Sequence, residues 1–227
     1  MIDCYLETGR QPGLSVEPAE GFVEVHDEPG HYHRFENAHV RVYDVRFPPG
    51  ASSLYHRHSV NTMYVAIHDC RVYDQAFAQQ DGVTHALSAG MCGCRPHGRE
   101  PLIHRVRNDG TGLMQMIGAE HRKSPPVLAD RLLAAPFHTA LDDPFHGESI
   151  RFYRIDLPPG ESTGLVDYNF SGLLVSLSDA TLAVGDGRST QVTGFAPGAF
   201  VWHDGPIRRQ LSNVGKTRFR AVLGEWR

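Results

Sequence analysis

The chain has 227 residues, of which 41% are hydrophobic and 21% are charged, the composition of a globular protein with a core of ordinary size. Its formal net charge is −4 and its Lys and Arg residues are scattered. We therefore expect no nucleic-acid partner and no anionic membrane partner, because both require a dense basic patch. The chain also lacks a run of 18 apolar residues, so no membrane span is expected.

The first ten residues include Asp3 and Glu7 and contain no apolar stretch of the kind that a signal peptide requires. We therefore expect a cytoplasmic protein. Of the four cysteines, Cys92 and Cys94 would point to the same side of a strand, so a disulfide between them is not expected. We interpret all four as small buried residues in a reducing compartment.

The chain repeats itself at an offset of 110 residues. Residues 40–50 (VRVYDVRFPPG) match residues 150–160 (IRFYRIDLPPG) position for position, and the offset then holds without a gap into the next apolar segment. Later matches keep the same order, from Asn108 with Asn213 to the closing segments GAEHR and LGEWR. An ordered series of matches indicates that one structural unit has been duplicated.

Each copy consists of short apolar segments, which Gly, Pro, Asn or Asp interrupt every 8 to 12 residues. This spacing is typical of an all-β sandwich or barrel. The paired prolines at 48–49 and 158–159 cannot donate backbone hydrogen bonds, so each pair marks the end of a strand. Strands rich in Val, Ile, Tyr and Phe are predicted at 40–47, 63–67, 113–117, 150–157, 173–177, 199–202 and 219–223.

Two His-x-His pairs occur, although a chain with 14 histidines is expected to contain about one by chance. His31 and His33 follow Pro29-Gly30, which favours a surface turn and leaves a ligand or lid role as the alternative. His56 and His58 follow a glycine and five residues. On a strand these two side chains share one face, so their imidazoles can coordinate a single cation.

A second pattern lies downstream, where Gly90, Pro96 and Gly98 precede His104 and Asn108. Together the two patterns resemble the motifs of the cupin family, G-x5-H-x-H-x3,4-E-x6-G and G-x5-P-x-G-x2-H-x3-N. The resemblance implies small jelly-roll barrels with a metal held by His56, His58 and His104, and a structural role for Asn108. Three departures from the motifs occur: Thr62 occupies the glutamate position, Asp69 replaces the closing glycine, and five residues separate Gly98 from His104.

The repeat and the resemblance together predict an all-β protein made of two tandem cupin (jelly-roll) barrels joined by a short helical linker. Residues 1–120 would form the N-terminal barrel with the metal site, residues 121–137 the linker and residues 138–227 a degenerate C-terminal barrel. The helix is predicted within 124–136, where apolar residues at 127, 128, 132 and 133 stand between prolines. The first 30 residues are less regular and are expected to pack along the first barrel or across to the second.

The second copy lacks the histidines at the three ligand positions, which become Val166, Tyr168 and Arg209. The C-terminal barrel is therefore expected to bind no metal in this way and to have a structural role, covering the first barrel or pairing with a second subunit. Barrels of this size have edge strands with unpaired backbone groups, which a second subunit can cover, so a homodimer is expected.

A site of three neutral imidazoles without a carboxylate favours one divalent transition metal, Fe(II) first, with Zn, Ni or Cu as alternatives. Within cupins such a centre is similar to that of Fe(II) dioxygenases acting on cysteine, gentisate or β-diketones. The leading hypothesis is thus a metal-dependent, dioxygenase-like oxidoreductase acting on a small polar or carboxylated metabolite. The alternative is a non-catalytic cupin module that binds a metal or a small ligand.

Other residues are candidates around this centre. Tyr64 shares the inward parity of His58, so it would either hydrogen-bond a substrate or pack in the barrel. Gln115 stands among apolar residues and would line the cavity or face water. Arg95 and Arg99 would receive a substrate carboxylate or remain exposed loop residues, and His97 would face solvent or serve as a fourth ligand.

Overall fold

The computed structural model describes residues 21–126 and 131–227. These residues form two compact units, one ending at Lys123 and the other beginning at Ser124. Their regular structure is almost all strand, with a single 3-10 turn at Val25–Asp27 in the described ranges. The same ranges contain no helix with the length and apolar character needed to cross a membrane. The all-β prediction is confirmed.

The N-terminal unit contains two five-stranded sheets that form one jelly roll. One sheet has the order β1-β4-β9-β6-β7 and the other the order β2-β3-β10-β5-β8. The strands are β1 (Val23–Glu24), β2 (His31–Glu36), β3 (Val40–Phe47), β4 (His56–His58), β5 (Thr62–Ala66), β6 (Cys70–Ala76), β7 (Val83–Leu87), β8 (Cys92–Arg95), β9 (Leu102–Asn108) and β10 (Met114–His121).

The C-terminal unit repeats this arrangement. Its sheets have the orders β11-β12-β19-β14-β17 and β13-β18-β15-β16. Each of these nine strands has a counterpart in the first unit, in which β1 is the additional strand. The strands are β11 (His138–Leu141), β12 (Ile150–Leu157), β13 (Val166–Tyr168), β14 (Gly172–Ser176), β15 (Ala180–Gly185), β16 (Thr190–Phe195), β17 (Phe200–His203), β18 (Ile207–Asn213) and β19 (Phe219–Trp226).

The duplication extends to individual hydrogen bonds. Asn108 donates through Nδ2 to the carbonyls of Phe47 and Gly112, both at 2.8 Å. Asn213 makes the corresponding bonds, to Leu157 at 2.9 Å and to Thr217 at 2.8 Å. Each asparagine thus ties the end of one strand to the turn that follows its own strand, which is the structural role that the resemblance implies.

The interior of the N-terminal barrel is formed by alternate residues of its strands. Tyr43, Val45 and Phe47 of β3 belong to one buried apolar cluster with Met114 of β10. The ring of Tyr43 lies against Gly118, where a Cβ atom would come within 2.1 Å of that ring. A glycine at 118 is therefore required for the two central strands to carry this aromatic residue inside the barrel.

The predicted linker helix is not supported. Residues 127–130 lie outside the described residues, and those on either side, 124–126 and 131–136, are not helical. Leu133 and Ala135 instead pack against the core of the C-terminal barrel, and the Leu133 amide donates to the Tyr153 hydroxyl at 3.0 Å. The apolar residues after position 130 are thus explained by packing of an extended segment onto the barrel, not by a helical period.

Candidate metal centre

Two histidines of β4 point into the N-terminal barrel. His56 and His58 are each 1% exposed, whereas Arg57 between them points outward and pairs with Glu24. This alternation is the one that the His-x-His spacing predicts for a strand. His56 also stands directly opposite His104, because β4 and β9 are paired in a register that aligns the two residues.

The three sequence-predicted metal ligands come together. The ring centroid of His104 lies 4.7 Å from that of His56 and 5.2 Å from that of His58. The rings of His56 and His58 are 4.9 Å apart. Three imidazoles from two neighbouring strands therefore share one small region inside the barrel.

A fourth histidine completes the cluster. The Pro29-Gly30 turn favours an exposed His31, but the structure buries this residue at the start of β2, with its ring centroid 4.7 Å from that of His56. The ring nitrogens that His31, His56 and His58 offer lie within 4.8 Å of one another, the spacing of a group able to hold a metal ion. His33, further along β2, is exposed as expected.

The outer nitrogens of these rings are hydrogen-bonded. Three of the four histidines use Nδ1 in a contact with an oxygen atom: His31 with Glu28 Oε2 at 2.6 Å, His56 with the Leu54 carbonyl at 3.0 Å, and His104 with Asp74 Oδ1 at 2.7 Å. The tautomer that donates from Nδ1 leaves Nε2 with its lone pair, free to act as a ligand. A carboxylate or carbonyl on the far nitrogen is also the usual support of metal-bound histidine.

Burial keeps the central rings neutral. It lowers the pKa values of His56 and His58 well below the usual value, and the positive charge that neighbouring histidines would carry lowers them further. Burial raises the pKa of Asp74, but the hydrogen bond with His104 and the positive charges nearby together outweigh this and hold the pKa below its ordinary value. The cluster therefore combines neutral imidazole ligands with an ionised carboxylate on an outer nitrogen.

Tyr64 lies at the edge of the cluster, as its parity predicts. Its hydroxyl is 3.2 Å from His58 Nδ1 and 3.3 Å from His97 Nε2. His97 is buried rather than solvent-facing, and its ring stacks on that of His58 with centroids 5.0 Å apart. Burial lowers the pKa of His97 to about 4 and raises that of Tyr64. The tyrosine thus connects a central histidine to a fifth imidazole that is neutral near pH 7.

The glutamate position of the first cupin motif contains no acid. Thr62 is fully buried and donates through Oγ1 to the Val60 carbonyl at 2.7 Å. Its cross-strand partners are Glu120 on β10 and Arg95 on β8, so Arg95 lies on the same face of the sheet as Tyr64. Burial raises the pKa of Tyr64, and the positive charge of Arg95 opposes this rise. The same charge adds to the effect of His104 in lowering the pKa of Asp74. A guanidinium is therefore present near the cluster, whereas Arg99 is exposed in the loop beyond.

The structure does not bring Gln115 together with the histidines. Met114 and Met116, on either side of it, belong to or pack against the interior cluster of the barrel. Gln115 points to the opposite face, where it is 5% exposed and donates to Asp44 at 3.1 Å. Its polarity is thus explained by a buried hydrogen bond with Asp44 on the neighbouring strand.

By sequence, the chain matches no known family model and no curated protein. By structure, it is similar to AerE from Microcystis aeruginosa, with a TM-score of 0.62 at 10% identity over 87% of this chain and 91% of that one. It is also similar to salicylate 1,2-dioxygenase from Pseudoaminobacter salicylatoxidans with gentisate bound, with a TM-score of 0.58 at 14% identity over 83% of this chain and 68% of that one.

A third similar structure is a tryptophan-to-tyrosine variant of oxalate decarboxylase from Bacillus subtilis, with a TM-score of 0.59 at 12% identity over 87% of this chain and 73% of that one. The coverage in each case exceeds either unit alone, so both units take part in the match. At these identities the likeness establishes the architecture. The chain has the cupin fold, in two tandem copies.

Proposed function

We propose that the N-terminal barrel binds one divalent transition metal ion and that the protein is an oxidoreductase of the Fe(II) dioxygenase type. The observation that carries the proposal is the buried histidine cluster, in which three rings have their Nδ1 atoms engaged by oxygen atoms. Within the described residues, the Nε2 atoms of His31 and His56 form no hydrogen bond. His31, His56 and His58 are buried and His104 is partly buried. Imidazoles that face one another in such a place have no packing advantage over apolar side chains, because each leaves polar nitrogen atoms to be satisfied.

The donor set fits a first-row transition metal. Imidazole nitrogens suit Fe, Zn, Ni and Cu, whereas Mg and Ca prefer oxygen ligands. We assign His56, His58 and His104 as ligands, as the cupin motifs imply. We add His31 as a candidate because the group of nitrogens within 4.8 Å of one another consists of those of His31, His56 and His58. A bound ion would supply Lewis-acid and redox chemistry at this place.

The residues around the cluster are suited to a small anionic substrate. Arg95 supplies a positive charge on the face that carries Tyr64, and a guanidinium pairs well with a carboxylate. The Tyr64 hydroxyl, held between His58 and His97, is placed to donate to or accept from a bound molecule. Burial by the barrel wall limits the access of water to both groups. A small polar or carboxylated metabolite is therefore the proposed substrate class.

Metal analysis tests the first half of the proposal. Protein purified without a chelator or a histidine tag is expected to contain about one equivalent of iron, zinc, nickel or copper, or to take up one equivalent of Fe(II) under anaerobic conditions. The His56→Ala/His58→Ala variant should lose this metal, and His85→Ala, which removes an exposed histidine of β7, should retain it. Absence of metal from the wild-type protein even after reconstitution would refute the site.

Oxygen uptake tests the second half. The Fe(II)-loaded protein is expected to consume oxygen in the presence of a member of a panel of small carboxylates, thiols and diketones, and the double variant should not. Stoichiometric metal binding without oxygen uptake against the whole panel would favour the alternative, a cupin module that binds a metal or a small ligand without catalysis.

A further inference from the structure

The C-terminal barrel contains an internal space of its own. Its walls are mostly apolar, and the residues that line it include Tyr168, His203 and Arg209. The region in which the centre of a water molecule would fit is about 30 Å³, two to three times what one water needs. The apolar walls are formed by Leu174, Val184, Phe195, Val201, Ile207, Leu211 and Leu223.

This space occupies the place of the histidine cluster in the first barrel. Val166 pairs with Arg209 across β13 and β18, just as His56 pairs with His104 across β4 and β9. Tyr168 stands two residues after Val166, at the position of His58 in the repeat. On the other sheet, Gly172 pairs with His203 as Thr62 pairs with Arg95. The duplicated fold thus presents the same interior position with different chemistry.

Arg209 has a cationic head that none of the described residues neutralises. Its side chain is partly buried, and within residues 21–126 and 131–227 it forms neither an ion pair nor a side-chain hydrogen bond. Other partly buried arginines of the described chain do pair with acids, for example Arg41 with Glu120 at 3.1 Å and Arg151 with Glu225 at 3.3 Å. Burial lowers the pKa of Arg209, which is the effect expected of a cation held away from water without an anion.

The polar neighbours of Arg209 are neutral near pH 7. His203 Nε2 lies 3.1 Å from the Phe170 carbonyl and donates to it, and burial, followed by the charge of Arg209, lowers its pKa to about 4. The Tyr168 hydroxyl lies 3.0 Å from His138 Nε2. The Nδ1 atom of His138 lies 2.8 Å from the Pro136 carbonyl, so that ring accepts from the tyrosine. No carboxylate of the described residues therefore reaches the guanidinium from inside the barrel.

We propose that the C-terminal barrel binds a small carboxylate, with its anionic group on Arg209 and a short apolar tail among the aliphatic side chains of the interior. A planar guanidinium receives a carboxylate with two hydrogen bonds, and the apolar walls exclude water from the tail. The size of the space restricts the ligand to a few non-hydrogen atoms, as in propionate. Arg209 also borders an open groove on the barrel surface, and the charged residues of that groove are Arg188, Arg208, Arg209 and Asp186. The cations outnumber the acid, so an anion can reach Arg209 from solvent.

The proposal does not depend on the metal site, and the test separates the two. Metal-free protein in carboxylate-free buffer is titrated with propionate, and binding is followed by calorimetry and by the ring signals of His203 in histidine-labelled protein. Saturable binding with a shift of the His203 signals is expected in the wild type and in His56→Ala/His58→Ala. Propionamide, which has the same shape without the charge, should bind at least tenfold more weakly.

The decisive variant is Arg209→Gln, which should weaken propionate binding at least tenfold. Its matched control is Arg154→Gln, which removes an exposed arginine of β12 and should leave the affinity unchanged. The proposal is overturned if the wild type shows no saturable shift of His203, if propionamide binds as well as propionate, or if Arg209→Gln binds propionate like the wild type. Should Arg209→Gln fail to fold, the comparison of propionate with propionamide on the wild type decides.

Discussion

His104 Nδ1 lies 2.7 Å from Asp74 Oδ1, across the adjacent strands β9 and β6. This contact fixes the ring so that Nε2 is the nitrogen available to a metal, and the ionised carboxylate makes that nitrogen a stronger ligand. It also gives the candidate centre a negative charge that the three-histidine motif by itself does not contain.

Removing this carboxylate should weaken metal binding without unfolding the barrel. We expect Asp74→Ala to lower the affinity for Zn(II) or Fe(II) by about 10- to 100-fold, the range found for such outer partners of metal-bound histidine. Competition with a chromophoric chelator measures the affinity. Asp109→Ala, which removes an exposed acid paired with Arg107, serves as the control. Equal affinity of the two variants would show that His104 is not held for a metal by Asp74.

Glu28 is expected to be important for both stability and metal binding. Its buried carboxylate accepts from the Gly30 amide at 2.7 Å, from His31 Nδ1 at 2.6 Å and from the Leu54 amide at 3.2 Å. Glu28→Ala leaves three donors without this acceptor, so it should cost about 3 kcal/mol of unfolding free energy. Denaturant titration measures the loss, and Glu161→Ala at an exposed position should change stability by less than about 0.5 kcal/mol.

A further expectation concerns metal binding by folded Glu28→Ala. If His31 is a ligand, the variant should bind the metal more weakly than the wild type at a temperature where both are folded. Unchanged affinity would restrict the ligands to His56, His58 and His104.

Tyr64→Phe should separate metal binding from turnover. The hydroxyl contacts His58 and His97, but the ring is positioned by strand pairing and does not depend on it. We expect an unchanged metal content and, with a substrate found in the oxygen-uptake screen, a decrease in kcat of roughly tenfold or more, the scale of a lost proton-transfer or hydrogen-bonding group. A change in KM alone, with kcat intact, would assign the hydroxyl to substrate binding.

Asn108 and Asn213 should be equally important to their own barrels. Each donates two hydrogen bonds to carbonyls and accepts one from a glycine amide, Gly110 at 2.9 Å and Gly215 at 3.1 Å. Replacement of either by Ala should cost about 3 kcal/mol of unfolding free energy, measured by denaturant titration. Folded Asn108→Ala should still bind metal in full, since the asparagine makes its contacts with backbone atoms of turns and strand ends. Loss of metal without loss of stability would contradict this role.

Stability should fall on acidification in a way that depends on His203. Burial and Arg209 lower its pKa to about 4 in the folded protein, whereas in the unfolded chain it is about 6.5. Because the unfolded state then binds more protons, stability is greatest above pH 6.5 and decreases as the pH falls toward 4, by roughly 3 kcal/mol for this one group. His203→Gln should lose correspondingly less between pH 7 and pH 4.5 in denaturant titrations. An identical loss in both proteins would show that His203 titrates normally.

The sequence predicted the parts of the fold and site that depend on local periodicity. The alternation at His56 and His58 and the register of the duplicated segments follow from the two-residue repeat of a strand. The grouping of His104 with these two residues was implied by the resemblance to the second cupin motif. For these reasons the three histidines were expected together, and the structure brings their rings to within 5.2 Å.

What could not be predicted depends on contacts between distant segments. His31 is placed by the pairing of β2 with β3, in which it stands opposite Val45, and nothing in the local sequence specifies that register. The nearby Pro29-Gly30 turn favours exposure, and the carboxylate of Glu28 reverses this by bonding both the turn and the ring. The same holds for Gln115. Its hydrogen-bond partner Asp44 lies 71 positions away in the chain, so the local sequence does not indicate that the two side chains meet.

His138 of the C-terminal barrel occupies the position that His31 occupies in the N-terminal barrel. It stands opposite Ile155 on β12, as His31 stands opposite Val45 on β3, so the two histidines occupy equivalent places in the duplicated fold. The C-terminal barrel therefore already has the counterpart of one member of the four-histidine cluster, and Val166, Tyr168 and Arg209 are the three positions at which it differs. At this interior position the two barrels thus differ by three side chains. Three substitutions, made by divergence after gene duplication or by protein engineering, would convert the residues of one interior into those of the other.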